Sequence, residues 1–353
     1  VRITANQLTV SRIVLMPLPV ALVLTGNRWL QLVAWALYVI LGVTDYFDGM
    51  LARKYGFTRF GRLSDPIADK IYVALVFLPL GILDLMADWI VVLILLRDPL
   101  ITAMRSMSER YGITMKTATL AKYKTAIQMI AGGYILFVGI VPERPWTLTC
   151  MGLLAGLAWF FHVLKRRLRG AWDPRLLTMG GLMTFGFLVR LLTNIHVTLW
   201  VYCLLILGVT WISAWKYLVD FVRGIGRSDR SVEARWWLLY LLESLAVPLF
   251  ALMLTFHPAV PVWLPMLILC TELAVGALDN MLTQEGIGRT PRHMGIKLAL
   301  QATMAAGFVI LAIRPGPELP GGIDPLVVVA GAFGVVTIVT TVVAFGRYAP
   351  RIL

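Results

Sequence analysis

From residue 13 to residue 345 the chain alternates apolar runs with short polar breaks. The runs lie at 13–25, 29–47, 71–85, 89–104, 125–141, 147–164, 176–192, 197–215, 236–256, 260–282, 298–313 and 325–345. With 59% hydrophobic and 14% charged residues and a mean hydropathy of +0.80, a 353-residue chain is too apolar for a soluble domain. Hydrocarbon offers no partner to a backbone N–H or C=O, so runs of this kind cross a bilayer as helices. The expected fold is therefore an all-α integral membrane protein with about twelve transmembrane helices.

Loop charge orients those helices. Lys and Arg gather at 2–12, 53–70, 105–124, 165–175, 216–235, 289–297 and 347–351, and are sparse in the connections between. Basic connections therefore alternate, which places both termini in the cytoplasm, in bacteria behind the inner membrane. The net charge of +13 then reads as cytoplasmic Lys/Arg facing anionic lipid, with no nucleic-acid partner implied. Cys150, Cys203 and Cys270 fall in three separate apolar runs, and the four histidines are scattered without metal-ligand spacing.

The chemistry concentrates in residues 43–70, VTDYFDGMLARKYGFTRFGRLSDPIADK. Asp45 and Asp48 are three apart, Asp65 and Asp69 four apart, so each pair shares one face of a helix. Four aspartates at a bilayer boundary would cost on the order of 10 kcal/mol if uncompensated. Two helices presenting four facing carboxylates imply bound cations, two in number. Hard oxygen donors favour Mg²⁺, Mn²⁺ or Ca²⁺, and no Cys or His lies in the stretch to favour zinc. Two such ions can clamp a pyrophosphate and stabilise a leaving phosphate. Gly49, Gly56 and Gly61 allow close approach of a ligand, and Arg53, Arg59 and Arg62 supply charge for phosphate.

The chain also repeats itself. ILGVT occurs at 40–44 and again at 206–210, and 89–104 has a counterpart in 262–278. KTAIQM at 124–129 aligns with KLALQA at 297–302. In that register Trp211, Ala214 and Trp215 replace Asp45, Asp48 and Gly49, and Glu243 alone answers Asp69. Residues 1–167 are thus expected to be the catalytic repeat, and 168–353 a degenerate six-helix repeat without a metal site. An even number of spans gives both repeats one orientation, which allows a pseudo-twofold axis along the membrane normal.

The string D-x-x-D-G-x-x-A-R, seven residues, then G-x-x-x-D-x-x-x-D resembles the signature of the CDP-alcohol phosphotransferases, membrane enzymes of phospholipid synthesis. The resemblance covers about residues 3–165. It implies that Asp45, Asp48, Asp65 and Asp69 hold two ions, Mg²⁺ or Mn²⁺. It further implies that Gly49, Ala52, Arg53 and Gly61 line the CDP moiety and that Asp69 is the general base. NQLTVSRIVLMPL, SDPIADK and LAKYKTAIQMIA are most like the members that transfer a phosphatidyl group from CDP-diacylglycerol to glycerol 3-phosphate, releasing CMP. The acceptor, a phosphate dianion, needs its own cations. Arg97, costly inside the fourth run, Arg105 two turns on, and Lys122 and Lys124 at the start of the fifth are the candidates. Asp98 stands where those members usually carry glutamate, and the R-D pair also occurs in members whose acceptor is phosphatidylglycerol. Phosphatidylglycerol and inositol phosphate therefore stay open as acceptors, and a two-repeat transporter is the contrasting class. Six-span members pair as homodimers. The second repeat is expected to replace that partner, with Trp211 and Trp215 filling the space that metal and CDP take in the first, so that no obligate homodimer forms.

Overall fold

The computed structural model describes residues 5–55, 59–110, 121–169, 174–226, 231–257, 260–284, 306 and 324–352. Every element among them is an α-helix. Eleven of the twelve apolar runs are helical, and the run at 298–313 lies outside the described residues except for residue 306.

The first run departs from a single span. It forms α1 (Ala5–Leu15) and α2 (Pro17–Val23), parted at Met16. Pro17 and Pro19 lack the N–H groups needed to continue α1, but suit the first turn of a new helix. The polar residues before the run belong to α1, which matters for the site. α3 (Arg28–Tyr55) starts on Asn27, whose Oδ1 accepts from the Trp29 and Leu30 amides at 2.9 and 3.3 Å. It continues past the apolar run through the whole D-x-x-D-G-x-x-A-R string. α4 (Arg59–Ile82) likewise starts well before its run, so Asp65 and Asp69 are helical.

The remaining helices follow their runs: α5 (Asp88–Arg110), α6 (Ala121–Ile140), α7 (Arg144–Arg169), α8 (Pro174–Leu192), α9 (Ile195–Gly226), α10 (Ser231–Thr255), α11 (Trp263–Gln284) and α12 (Pro325–Ile352). Among the described residues, Tyr123–Ile140, Arg144–Arg167 and Ile195–Arg223 are long and apolar enough to cross a membrane, and six shorter apolar helical segments accompany them. At the end of the bundle away from the aspartates, Arg28 donates to both carboxylate oxygens of Glu143, at 2.7 and 2.6 Å. Glu143 lies outside the spans, and those hydrogen bonds hold its carboxyl below the usual range.

α4 and α5 form the centre. α4 packs on α1, α2, α5, α6 and α11, and α5 packs on α4, α9, α10 and α11. Phe77, Leu78, Leu80, Ile90 and Ile94 are fully buried there. A second junction forms where α6 meets α8 and α9. Tyr134 of α6 stacks on Tyr202 of α9, centroids 4.1 Å apart, and donates to the Gly186 carbonyl of α8 at 2.8 Å. A burial-driven fit of this density leaves no slack at Gly186, where an added Cβ would lie 2.6 Å from the Tyr134 ring. Cys150, Cys203 and Cys270 are free thiols.

Candidate active site

Helix α3 carries Asp45, Asp48, Gly49 and Ala52 at successive i, i+3, i+4 and i+7 positions, which is one helical stripe. The side chains of Asp45, Asp48, Ala52 and Arg53 lie outside the described residues, as does that of Lys122 at the start of α6. Glu243 on α10 does so as well.

Two tyrosines tie α3 to α4 beneath this stripe. Tyr38 Oη donates to the Leu75 carbonyl at 2.7 Å, and Tyr72 Oη donates to the Tyr38 carbonyl at 2.6 Å. Both side chains are buried, so each hydroxyl must find a partner, and a carbonyl of the facing helix supplies it. The pair sits two turns before Asp45 and within one turn after Asp69. It fixes the spacing of the helix ends that bear the four aspartates.

Helix α1 packs on α3 and α4 and brings two polar side chains to the second aspartate pair. Thr9 Oγ1 donates to Asp65 Oδ1 at 3.0 Å. The Arg12 guanidinium lies 3.5 Å from Asp69 Oδ1. Arg12 is 1% exposed while the Asp69 side chain is 41% exposed, so the cation is walled in and the carboxylate opens outward. Thr9 and Arg12 were not among the expected site residues. Their i, i+3 spacing in a polar segment ahead of an apolar run is the signal that could have found them. Gly61 is buried one turn before Asp65.

A second polar cluster lies on α5 and α6. Asp98 Oδ1 accepts from Arg97 Nη1 at 2.7 Å and from Lys124 Nζ at 2.6 Å. Lys70 Nζ, from α4, donates to Thr102 Oγ1 at 2.8 Å, and that hydroxyl donates to the Asp98 carbonyl at 2.7 Å. The charges of Asp98, Lys124, Arg105 and Arg97 all bear on Lys70, and that of Asp69 bears on Lys124. The acceptor candidates Arg97, Arg105 and Lys124 therefore do come together, within reach of the charge of Asp69. Two of the three, Arg97 and Lys124, share Asp98. Arg97 Nη2 also donates to Ser213 Oγ of α9 at 3.3 Å, and Arg105 Nη2 donates to Tyr217 Oη of α9 at 3.4 Å.

One expectation is corrected here. Trp211 is half-buried against a cluster that Ile101, Met104 and Met107 of α5 make with Ala214, Tyr217 and Phe221 of α9. Trp215 is instead 67% exposed and fills no interior space. Position 215 lies one helical turn past Trp211, and the buried stripe of α9 continues through Ala214, Tyr217 and Phe221 instead.

Among the described residues no three His, Cys, Asp or Glu side chains converge on a metal position. The donor chemistry nonetheless suits a hard divalent cation. Asp65 accepts a hydrogen bond from a neutral hydroxyl, and Asp69 opens outward one turn on along the same face of α4.

Residues 2–164 match the model of the CDP-alcohol phosphatidyltransferase family. A CDP-diacylglycerol–glycerol-3-phosphate 3-phosphatidyltransferase of Rickettsia typhi is 32% identical over 166 residues, 44% of this chain and 93% of the relative. The Bacillus subtilis protein of the same name is 31% identical over 144 residues, 37% of this chain and 75% of the relative. A probable phosphatidylglycerophosphate synthase of Mycobacterium tuberculosis is 38% identical over 138 residues, 38% of this chain and 65% of the relative. No solved structure matches. A signature helix pair fixed by Tyr38 and Tyr72, a buried set of cations beside it, and a Rickettsia typhi relative covered almost end to end agree: the chain is an integral membrane member of the CDP-alcohol phosphatidyltransferase family.

Proposed function

We propose that the protein transfers the phosphatidyl group of CDP-diacylglycerol to glycerol 3-phosphate and releases CMP. The names of the relatives support this acceptor. The observation that carries it is the cluster that Lys70, Arg97 and Lys124 build around Asp98 and Thr102, with the charge of Asp69 bearing on Lys124. A carboxylate cluster suits a metal-bound pyrophosphate, and a neighbouring set of cations suits a second, separate phosphate.

In this reading Asp45, Asp48, Asp65 and Asp69 hold two divalent ions, Mg²⁺ or Mn²⁺, and Gly49, Ala52, Arg53 and Gly61 line the CDP moiety. The ions would neutralise the pyrophosphate and the departing CMP. Thr9 keeps Asp65 in place. Asp69, with its outward-facing side chain, takes the proton of the acceptor hydroxyl. That oxygen bonds to the phosphorus bearing diacylglycerol, the bond from this phosphorus to the bridging oxygen breaks, and CMP leaves with the bridging oxygen. Arg97, Arg105, Lys122 and Lys124 hold the acceptor phosphate, so most of the catalysis is positioning and charge neutralisation.

Residues 1–167 form the catalytic repeat and 168–353 a degenerate copy that stands in for a second subunit. Support comes from reciprocal packing: α4 meets α11 and α5 meets α10, pairs that a twofold relating α4 to α10 and α5 to α11 would exchange. The site faces the cytoplasm in a bacterial inner membrane, a reading that the alternating basic connections support. Family membership and a single signature weigh against the transporter reading.

The test is CMP release by purified protein from CDP-diacylglycerol offered glycerol 3-phosphate, inositol phosphate, serine or phosphatidylglycerol. Phosphatidylglycerol phosphate as product is expected. Turnover with phosphatidylglycerol and none with glycerol 3-phosphate would overturn the acceptor.

A further inference from the structure

The family match ends at residue 164, yet the buried cations are finished by a helix beyond it. Arg97 is 7% exposed and uses Nη1 for Asp98 and Nη2 for Ser213. Ser213, itself 1% exposed, donates a hydroxyl hydrogen bond to the Thr210 carbonyl at 2.7 Å. Thr210 Oγ1 in turn accepts from Gln128 Nε2 of α6 at 2.9 Å. One turn after Ser213, Tyr217 offers its hydroxyl to Arg105 and its ring face to the same guanidinium, 5.4 Å from the centroid. Tyr217 is 1% exposed, so neither contact is a passing surface encounter. The Nε atoms of Arg97 and Arg105 are buried without a hydrogen-bond partner. A buried guanidinium with a donor to spare is costly unless something anionic completes it.

We infer that α9 of the second half builds the acceptor end of the reaction centre, with Ser213 and Tyr217 as positioning residues that aim Arg97 and Arg105 at the acceptor phosphate. This rests on the acceptor role proposed above for the two arginines. The second half is then part of the site as well as a packing partner. Arg97 is braced between Asp98 on its own helix and Ser213 across the interface. Arg105 is braced by the hydroxyl and the ring of Tyr217. Loss of the Tyr217 hydroxyl frees one bond, and loss of the ring removes the cation–π contact too.

The experiment uses the purified full chain with Ser213→Ala, Tyr217→Phe and Tyr217→Leu. KM for glycerol 3-phosphate rises about tenfold in Ser213→Ala and Tyr217→Phe, the low end for one lost hydrogen bond to a charged group. It rises severalfold further in Tyr217→Leu. KM for CDP-diacylglycerol stays within twofold, which a merely structural role would not spare. A readout without turnover accompanies it: butanedione modification of Arg97 and Arg105, followed by mass spectrometry with and without glycerol 3-phosphate. Protection in the wild type that weakens in the variants supports the inference. Protection that is equal in wild type and variants, or KM values for both substrates that move together, overturns it alone. No protection in the wild type overturns the acceptor assignment and the inference with it.

Discussion

Replacing Asp98 by asparagine isolates one charge on which two buried cations depend. Asp98 Oδ1 lies 2.7 Å from Arg97 Nη1 and 2.6 Å from Lys124 Nζ, and the three side chains are 14, 9 and 5% exposed. Solvent screening is therefore slight, and the exposed-pair value of about 0–1 kcal/mol does not apply. Removing one member of a buried pair costs about 3–5 kcal/mol, because the partner is left charged and uncompensated. Asparagine keeps an oxygen for one of the two donors, which places Asp98→Asn near the lower figure, about 3 kcal/mol. At about 2–4 °C per kcal/mol, thermal unfolding in detergent should shift down by roughly 6 °C or more. Lys124→Met alone costs less, since Asp98 retains Arg97. The double variant should be more stable than the sum of the singles by about 1 kcal/mol or more, because the ammonium that asparagine strands is gone. An Asp98→Asn protein that melts within about 1 °C of the wild type, with strictly additive doubles, would refute the claim that this carboxylate holds the cation cluster together.

Asp65→Asn preserves shape and the Thr9 hydrogen bond but removes the charge. CMP release should fall by about a hundredfold or more while the melting temperature barely moves; near-normal turnover would sink the metal-ligand assignment. Gly186→Ala forces a methyl against the Tyr134 ring at the α6–α8–α9 junction and should cost about 1–3 kcal/mol, read as a lower melting temperature. An unchanged melting temperature would mean that the junction is looser than its geometry says.

The two aspartate pairs were legible because spacing along a helix is a local property. Three and four residues place two side chains on one face whatever the helix packs against. Helical spans were legible for a similar reason, since a bilayer leaves an apolar run little choice but to satisfy its own backbone. The break at Met16 is written in Pro17 and Pro19, although residues 13–25 form one unbroken apolar run. The helical nature of residues 5–12 was harder to see, because a polar segment before a span reads equally well as a loop.

Sequence by itself determined the helices, the signature with its four carboxylates, and the presence of cations at 97, 105, 122 and 124. It could not say which partner each charge would take, since burial makes that decision and burial comes from contacts far apart in the chain. Thr9 meets Asp65 across 56 residues, Lys124 meets Asp98 across 26, and Arg97 meets Ser213 across 116. Trp211 and Trp215 looked equivalent in sequence, yet the rotation of α9 against α5 half-buried the first and left the second exposed. Only the packing of α9 on α5 and α6 put Ser213 and Tyr217 beside the arginines. A buried charge must be answered by whatever the fold places next to it, and that neighbour is a property of the tertiary structure.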